Sequence, residues 1–176
     1  MKEKLLIILM ITFICSCGTK KEKKKEKFEY KRTKVETFDN FDVDDPNKVK
    51  IVLNSFDSMQ YDKKIIEVED GKNIYLTLNH KGKIGKEFMG HNFVLLKKGI
   101  NIDDFARKAV VAKKTDYIPT GDQTLAYTKM IGGGETTTIN FKSPEPGKYV
   151  FICSFPGHYN LMKGEFIVKQ KQSFVD

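Results

Sequence analysis

A chain of 176 residues with 40% hydrophobic and 11% aromatic residues holds enough apolar material for one ordinary domain with its own core, which excludes wholesale disorder. The formal net charge of +8 is unevenly spread: residues 20–34 hold nine Lys/Arg against three Glu, the first four residues add one positive charge, and the rest carries only +1. A basic domain surface for nucleic acid is therefore excluded, so no nucleic-acid partner is expected.

The chain starts with Lys2 and Lys4, followed by an apolar run over residues 5–14 broken only by Thr12. That is about half of the ~20 residues needed to cross a bilayer, so residues 1–16 read as an export signal rather than a membrane helix. The run ends in Ile14-Cys15-Ser16-Cys17-Gly18. This resembles the lipobox of bacterial lipoproteins, in which a small residue precedes the cysteine that is lipidated. Cys17 fits because Ser16 is small, whereas Cys15 follows the bulky Ile14. The alternative is an ordinary signal peptide with incidental cysteines. Residues 17–37 then form a charged tether with a reach of about 25 Å as a flexible coil. The domain follows over residues 38–176, expected to be monomeric, exported to the cell envelope and anchored to a membrane facing the periplasm or cell surface.

Runs with strand-like alternation occupy residues 49–53, 65–68, 74–78, 91–96, 136–141, 148–153 and 164–169. Gly and Pro punctuate them at Asp70-Gly71, Lys81-Gly82, Gly132 to Gly134, Ser143-Pro144 and Pro146-Gly147. Seven or eight short strands with such breaks predict an all-β antiparallel sandwich or flattened barrel. Residues 102–114 differ: Asp103 and Asp104 suit a helix start, and Phe105, Ala106, Ala109 and Val110 recur at helical spacing. One short helix inserted between strands is expected.

The chemistry concentrates in the stretch from Tyr149 to Gly164, where Cys153, His158 and Met162 stand in a Cys-x4-His-x3-Met pattern around Pro156-Gly157. A second histidine, His91, follows Gly90 at the start of another apolar run. A thiolate and two imidazoles with a weak thioether is the donor set of copper electron-transfer centres. Pro-Gly permits the sharp turn that lets Cys153 and His158 converge. Taken singly, Cys153 would read as a small buried hydrophobe, His158 as a loop residue and Met162 as core; together they read as ligands. With Cys15 cleaved and Cys17 lipidated, Cys153 is the sole thiol of the mature chain, and ligation would occupy it.

Across roughly residues 49–170 the chain resembles the azurins, the blue-copper cupredoxins. The likeness is dense from Thr77 to His80 and from Met89 to Leu95, and continues from Thr128 to Glu135 and from Cys153 to Gly164. It implies a cupredoxin-like Greek-key β-sandwich holding one mononuclear type 1 copper, which carries single electrons and catalyses no reaction. His91, Cys153 and His158 would be the strong ligands, with Met162 and the Gly90 carbonyl as weak axial ones. Asn92 would bond toward Ser154, and the N–H groups of Asn92 and Phe155 would point at the Cys153 sulfur. Met59, Met89, Phe155 and Leu161 fall at positions of the apolar patch through which azurins meet redox partners such as c-type cytochromes, the alternative being that each is simply core. His80 matches a non-ligand histidine beside the azurin site. Two departures stand out: the azurin disulfide near the N-terminus has no counterpart, and the buried tryptophan of many azurins is absent, with Phe93 standing near the ligand strand. The alternative function is copper storage or delivery by the same lipoprotein. The same ligands also bind zinc.

Overall fold

The computed structural model describes residues 45–171; the expected signal, Cys17 and the tether lie outside them. In chain order the elements are β1 (Lys48–Phe56), β2 (Gln60–Tyr61), β3 (Ile65–Glu69), β4 (Asn73–His80), the single-turn α1 (Lys86–Met89) and β5 (Val94–Leu96). Then come α2 (Ile102–Val111), a 3-10 turn (Lys113–Thr115), β6 (Thr124–Tyr127), β7 (Thr136–Lys142), β8 (Gly147–Ile152) and β9 (Lys163–Lys169). The strands form two sheets, ordered β2-β1-β4-β7 and β3-β9-β8-β5-β6. This is the expected mostly-β sandwich, and neither sheet closes into a barrel.

Period-two burial joins the layers. Ile51 and Leu53 of β1 and Ile74, Leu76 and Leu78 of β4 meet Ile66 and Val68 of β3, Tyr149 and Phe151 of β8, and Phe166 and Val168 of β9 in one core. The sheet containing β5 is covered on its other side as well. There Val94, Leu96 and Ile152 pack against Phe105 and Ala109 of α2 and against Ile118. All three residues of β5 are therefore buried, and the strand reads as a continuous apolar run because it has no solvent face. The Asn101 side chain caps α2 by accepting from the Asp104 N–H at 3.0 Å.

Pairing departs from the antiparallel expectation at two places. β1 runs parallel to β4, and β3 parallel to β9. The chain leaves the first sheet after β2, lays β3 in the second, and returns as β4 beside β1. Such a crossover makes neighbours of strands running the same way, and side-chain alternation carries no trace of it. Nor does the 91–96 run form one strand. His91 makes an isolated bridge with Ile131, and the ladder resumes only at Val94. That break positions the site.

Candidate metal centre

Three segments meet at one end of the sandwich: the irregular stretch Gly90-His91-Asn92 between α1 and β5, the loop after β8, and the end of β1. The β8 loop is closed at its base by the Cys153 N–H donating to the Met162 carbonyl at 2.9 Å. Within it the chain reverses at Pro156-Gly157. Gly157 has φ of 83°, a region that disfavours a Cβ, and the His158 N–H returns to the Phe155 carbonyl at 3.0 Å. The turn brings His158 back over Cys153.

The result is a buried cluster of His91, Cys153 and His158 whose donor atoms all lie within 4.8 Å of one another. The Cys153 Sγ is 3.9 Å from His91 Nδ1 and 3.8 Å from His158 Nδ1. Two bonds of about 2.1 Å to nitrogen and 2.3 Å to sulfur meeting at roughly 120° span just such distances. A soft thiolate and two imidazoles, with no carboxylate in the cluster, make a donor set that fits copper. The Gly90 carbonyl oxygen stands 3.8 Å from the same sulfur. A Cβ on Gly90 would meet the Lys86 carbonyl oxygen at 2.6 Å and the Met130 side chain at 2.9 Å, so only glycine lets α1 and Met130 crowd this peptide. Met162 is fully buried in the main core, and its N–H bonds the His158 carbonyl at 2.8 Å.

Neighbouring groups orient the donors. His91 Nε2 lies 3.0 Å from the Phe56 carbonyl; a carbonyl only accepts, so Nε2 carries the proton and Nδ1 keeps its lone pair toward the cluster. His80 stacks on the His91 ring, with centroids 4.3 Å apart and an interplanar angle of 13°. Its own ring is pinned by the Gly82 N–H donating to Nδ1 and by the Met89 carbonyl 3.0 Å from Nε2. Asn92 ties the two ligand segments together: its Oδ1 accepts from the Ser154 N–H at 2.9 Å and its Nδ2 donates to Ser154 Oγ at 2.8 Å. A further bond runs from Nδ2 to the Asp116 carbonyl at 3.2 Å. The N–H groups of Asn92 and Phe155 both donate to the Cys153 sulfur.

Burial dominates the protonation equilibria. It pushes the Cys153 thiol up to about 11 against the pull of those two N–H donors, so the metal-free sulfur is protonated at neutral pH. Desolvation, reinforced by His80 and by the His158 charge, lowers His91 to about 4, and burial with His80 lowers His158 to about 4. Both imidazoles are then neutral, the form that ligates metal.

Of the residues expected around this centre, Met59, Met89 and Phe155 are half-buried and Leu161 is 53% exposed. The Phe155 ring lies 4.6 Å from that of His158. Sequence reasoning missed four residues. Phe88, on the turn of helix before Met89, is 79% exposed, and Ile84 is exposed as well; two large apolar residues among Lys81, Lys83 and Lys86 were the available signal. The Phe56 carbonyl was invisible because it is backbone. Tyr61, buried in β2, donates its hydroxyl to the Asn92 carbonyl.

The comparisons with known proteins agree with this geometry. A model of copper-binding proteins of the plastocyanin/azurin family matches residues 47–169. The azurin of Pseudomonas fluorescens biotype C is 38% identical over 126 residues, an alignment covering 68% of this chain and 98% of that protein. The azurin of Alcaligenes faecalis is 41% identical over 119 residues, covering 65% of this chain and 93% of the relative. Among solved structures, the dithionite-reduced auracyanin of the photosynthetic bacterium Roseiflexus castenholzii superposes with a TM-score of 0.62 at 34% identity, covering 68% of this chain and 96% of that one.

Proposed function

On the premise that the chain belongs to the copper-binding plastocyanin/azurin family, we propose that it is an electron carrier. One copper ion would be held by His91, Cys153 and His158, with the Met162 sulfur and the Gly90 carbonyl as weaker donors. The observation that carries this reading is the buried thiol–imidazole–imidazole cluster with donors within 4.8 Å. When bound, copper supplies a one-electron Cu(II)/Cu(I) couple, and soft sulfur with imidazole suits both states.

The protein's own part is to keep the donors still. His91 is held by Phe56 and His80, and Cys153 by its ladder bond to Met162 and by two N–H donors. The Asn92–Ser154 pair fixes the distance between the two segments. Donors that cannot shift leave little to reorganise when charge changes, so electron exchange is fast. Loading requires the loss of one thiol proton and none from the neutral histidines. A storage or delivery role is disfavoured because Cys153 is fully buried and His91 with it, whereas exchange of metal needs open donors.

His158 is the ligand nearest to solvent at 4% exposure, and Phe155 packs on it. Electrons would enter and leave by that edge, through an apolar contact made by Met59, Met89, Phe155 and Leu161 and widened by Phe88. Redox proteins such as c-type cytochromes are the fitting partners. The basic, apolar start of the chain and the Ser16-Cys17 pair support export and lipid anchoring in the cell envelope, with the folded domain held near the membrane by its tether. No helix among the described residues is long and apolar enough to cross a membrane.

The test is the visible and electron-paramagnetic spectrum of the full chain after Cu(II) addition, repeated for Cys153→Ala. An intense blue band with narrow copper hyperfine splitting, lost in the variant, is expected. A colourless protein, or copper binding that survives loss of Cys153, would sink the proposal.

A further inference from the structure

Residues 81–89 lie against the ligand cluster and are fixed there through their backbone. Asp57 accepts the Lys83 N–H at 2.8 Å and the Ile84 N–H at 3.3 Å, one on each carboxylate oxygen. The Ile84 carbonyl accepts from the Gly133 N–H at 2.8 Å. A Cβ on Gly132 would meet the Lys86 nitrogen at 2.6 Å, and one on Gly133 the Lys83 carbonyl carbon at 2.5 Å, so the segment rests directly on two glycines. The Lys86 carbonyl oxygen in turn crowds Gly90, whose own oxygen is 3.8 Å from the Cys153 sulfur. Toward solvent this clamped segment presents Phe88, 79% exposed, and Ile84, 41% exposed, with Lys81, Lys83 and Lys86 exposed beside them.

The charges at this end of the sandwich are used unequally. Asp57 is spent on the segment's own N–H groups, Asp62 on Asn54 and Lys63, Asp116 on the Met130 N–H and Glu135 on the Gly132 N–H. Lys81, Lys83 and Lys86, by contrast, form no ion pair among the described residues, and only Glu87 offsets them within the segment. Beside Leu161, the other exposed apolar residue of the contact, the Lys64 Nζ donates to the Leu161 carbonyl at 2.8 Å and adds a fourth ammonium group. A second copy of this chain would set lysine against lysine, whereas carboxylates around an apolar patch complement both features at once. We propose that residues 81–89 select an acidic partner, a redox protein whose apolar electron-exchange edge is ringed by carboxylates. Phe88 and Ile84 meet that edge, and Lys81, Lys83 and Lys86 meet the carboxylates. This rests on the electron-carrier reading and adds to the apolar contact the charge of what binds there. A segment already held in place loses little freedom on binding. Ammonium groups at a rim act mainly on the rate of encounter, and salt screens them beyond about 8 Å at physiological ionic strength.

The experiment measures the bimolecular rate of electron exchange between the full copper-loaded chain and a basic c-type cytochrome, used as it is or with its lysines succinylated to make it acidic. The acidic form should react about tenfold faster at low salt and lose that advantage at about 0.5 M salt. Lys81→Glu, Lys83→Glu and Lys86→Glu together should slow the acidic form about tenfold at low salt and leave the blue band unchanged. Glutamine at the same three positions should slow it about threefold, and this variant decides the matter if the first folds poorly. The basic tether attracts anions too, so the control reverses the same number of charges there, with Lys23→Glu, Lys24→Glu and Lys25→Glu. An equal loss in that control, or equal rates for the two forms of the cytochrome, overturns the proposal. Calorimetric binding of the metal-free chain to the succinylated cytochrome reads the same face without copper, and the triple glutamate variant should weaken it about tenfold. Such binding with no electron exchange supports the acidic partner and counts against the electron-carrier reading alone. If vesicles of anionic lipid bind the chain and not the triple variant, while the affinity for the cytochrome is the same for both, the face belongs to a membrane and the proposal falls.

Discussion

The most exacting consequence of the site concerns Asn92, which touches no metal. It is fully buried and makes three side-chain hydrogen bonds: from the Ser154 N–H at 2.9 Å, to Ser154 Oγ at 2.8 Å and to the Asp116 carbonyl at 3.2 Å. Asn92→Ala leaves the Ser154 N–H and the Asp116 carbonyl without these partners, at about 1–3 kcal/mol for each group that stays buried and unsatisfied. The emptied volume adds roughly 1 kcal/mol. The Ser154 hydroxyl can rotate to another acceptor and contributes little. A total of about 3–7 kcal/mol follows, or about 10–25 °C in melting temperature for a domain of this size. Thermal unfolding of the metal-free and copper-loaded chain measures it. The loaded protein should lose more than the metal-free one, because Asn92 also holds the His91 and Cys153 segments together and a weaker site returns less stabilisation from bound metal. Ser154→Ala is the control: it retains the Ser154 N–H bond to Asn92 and should cost only about 1 kcal/mol. Melting of Asn92→Ala within 3 °C of the parent, on the order of 1 kcal/mol, would refute the clamp.

Two further outcomes are expected. In the metal-free chain, His91 and His158 ionise near 4 when folded but near the ordinary 6.5 when unfolded. The unfolded state therefore binds more protons between these values, and stability is full above pH 6.5 and falls as pH drops toward 4, by at most about 3 kcal/mol per histidine; denaturant midpoints at pH 7.5 and pH 4.5 that coincide would contradict the assigned burial. On the surface, Phe88→Glu and Leu161→Glu should slow electron transfer to a c-type cytochrome about tenfold, the loss expected when a contact worth about 1.4 kcal/mol is removed. Their blue spectra should match the parent, and rates within twofold of it would remove these residues from the docking face.

Which features of the fold the sequence betrays follows from where the solvent lies. β1, β3, β4, β8 and β9 each turn one face to the core, so period-two burial writes itself into their residues. β6 escaped notice because an edge strand of four residues is too short to set a period, whereas β7, equally without buried residues at its edge, runs for seven. β2 has two residues and α1 a single turn with nothing buried, too little for any period to form. The parallel pairings were invisible for a different reason: alternation records which face a residue takes and says nothing about the direction of its neighbour.

The site divides along the same line. Cys153, His158 and Met162 could be read together because one loop carries all three, and the donor chemistry of one metal restricts which residue types can stand there. Asn92 and Ser154 are 62 positions apart, and their pairing was inferred only through resemblance; the structure brings them to 2.8 Å. What remained unread is of two kinds. The Phe56 carbonyl that orients His91 is backbone, so any residue type at that position could supply it. Tyr61 is a side chain, but in sequence a buried tyrosine differs from a buried phenylalanine by one oxygen whose purpose depends on what lies beside it. Here that neighbour is the Asn92 carbonyl, 31 positions later in the chain. Ligands announce themselves by their own chemistry, while the groups that hold them are identified only by proximity. For that reason the groups that hold the donors of this cluster in place are the ones that only the folded chain reveals.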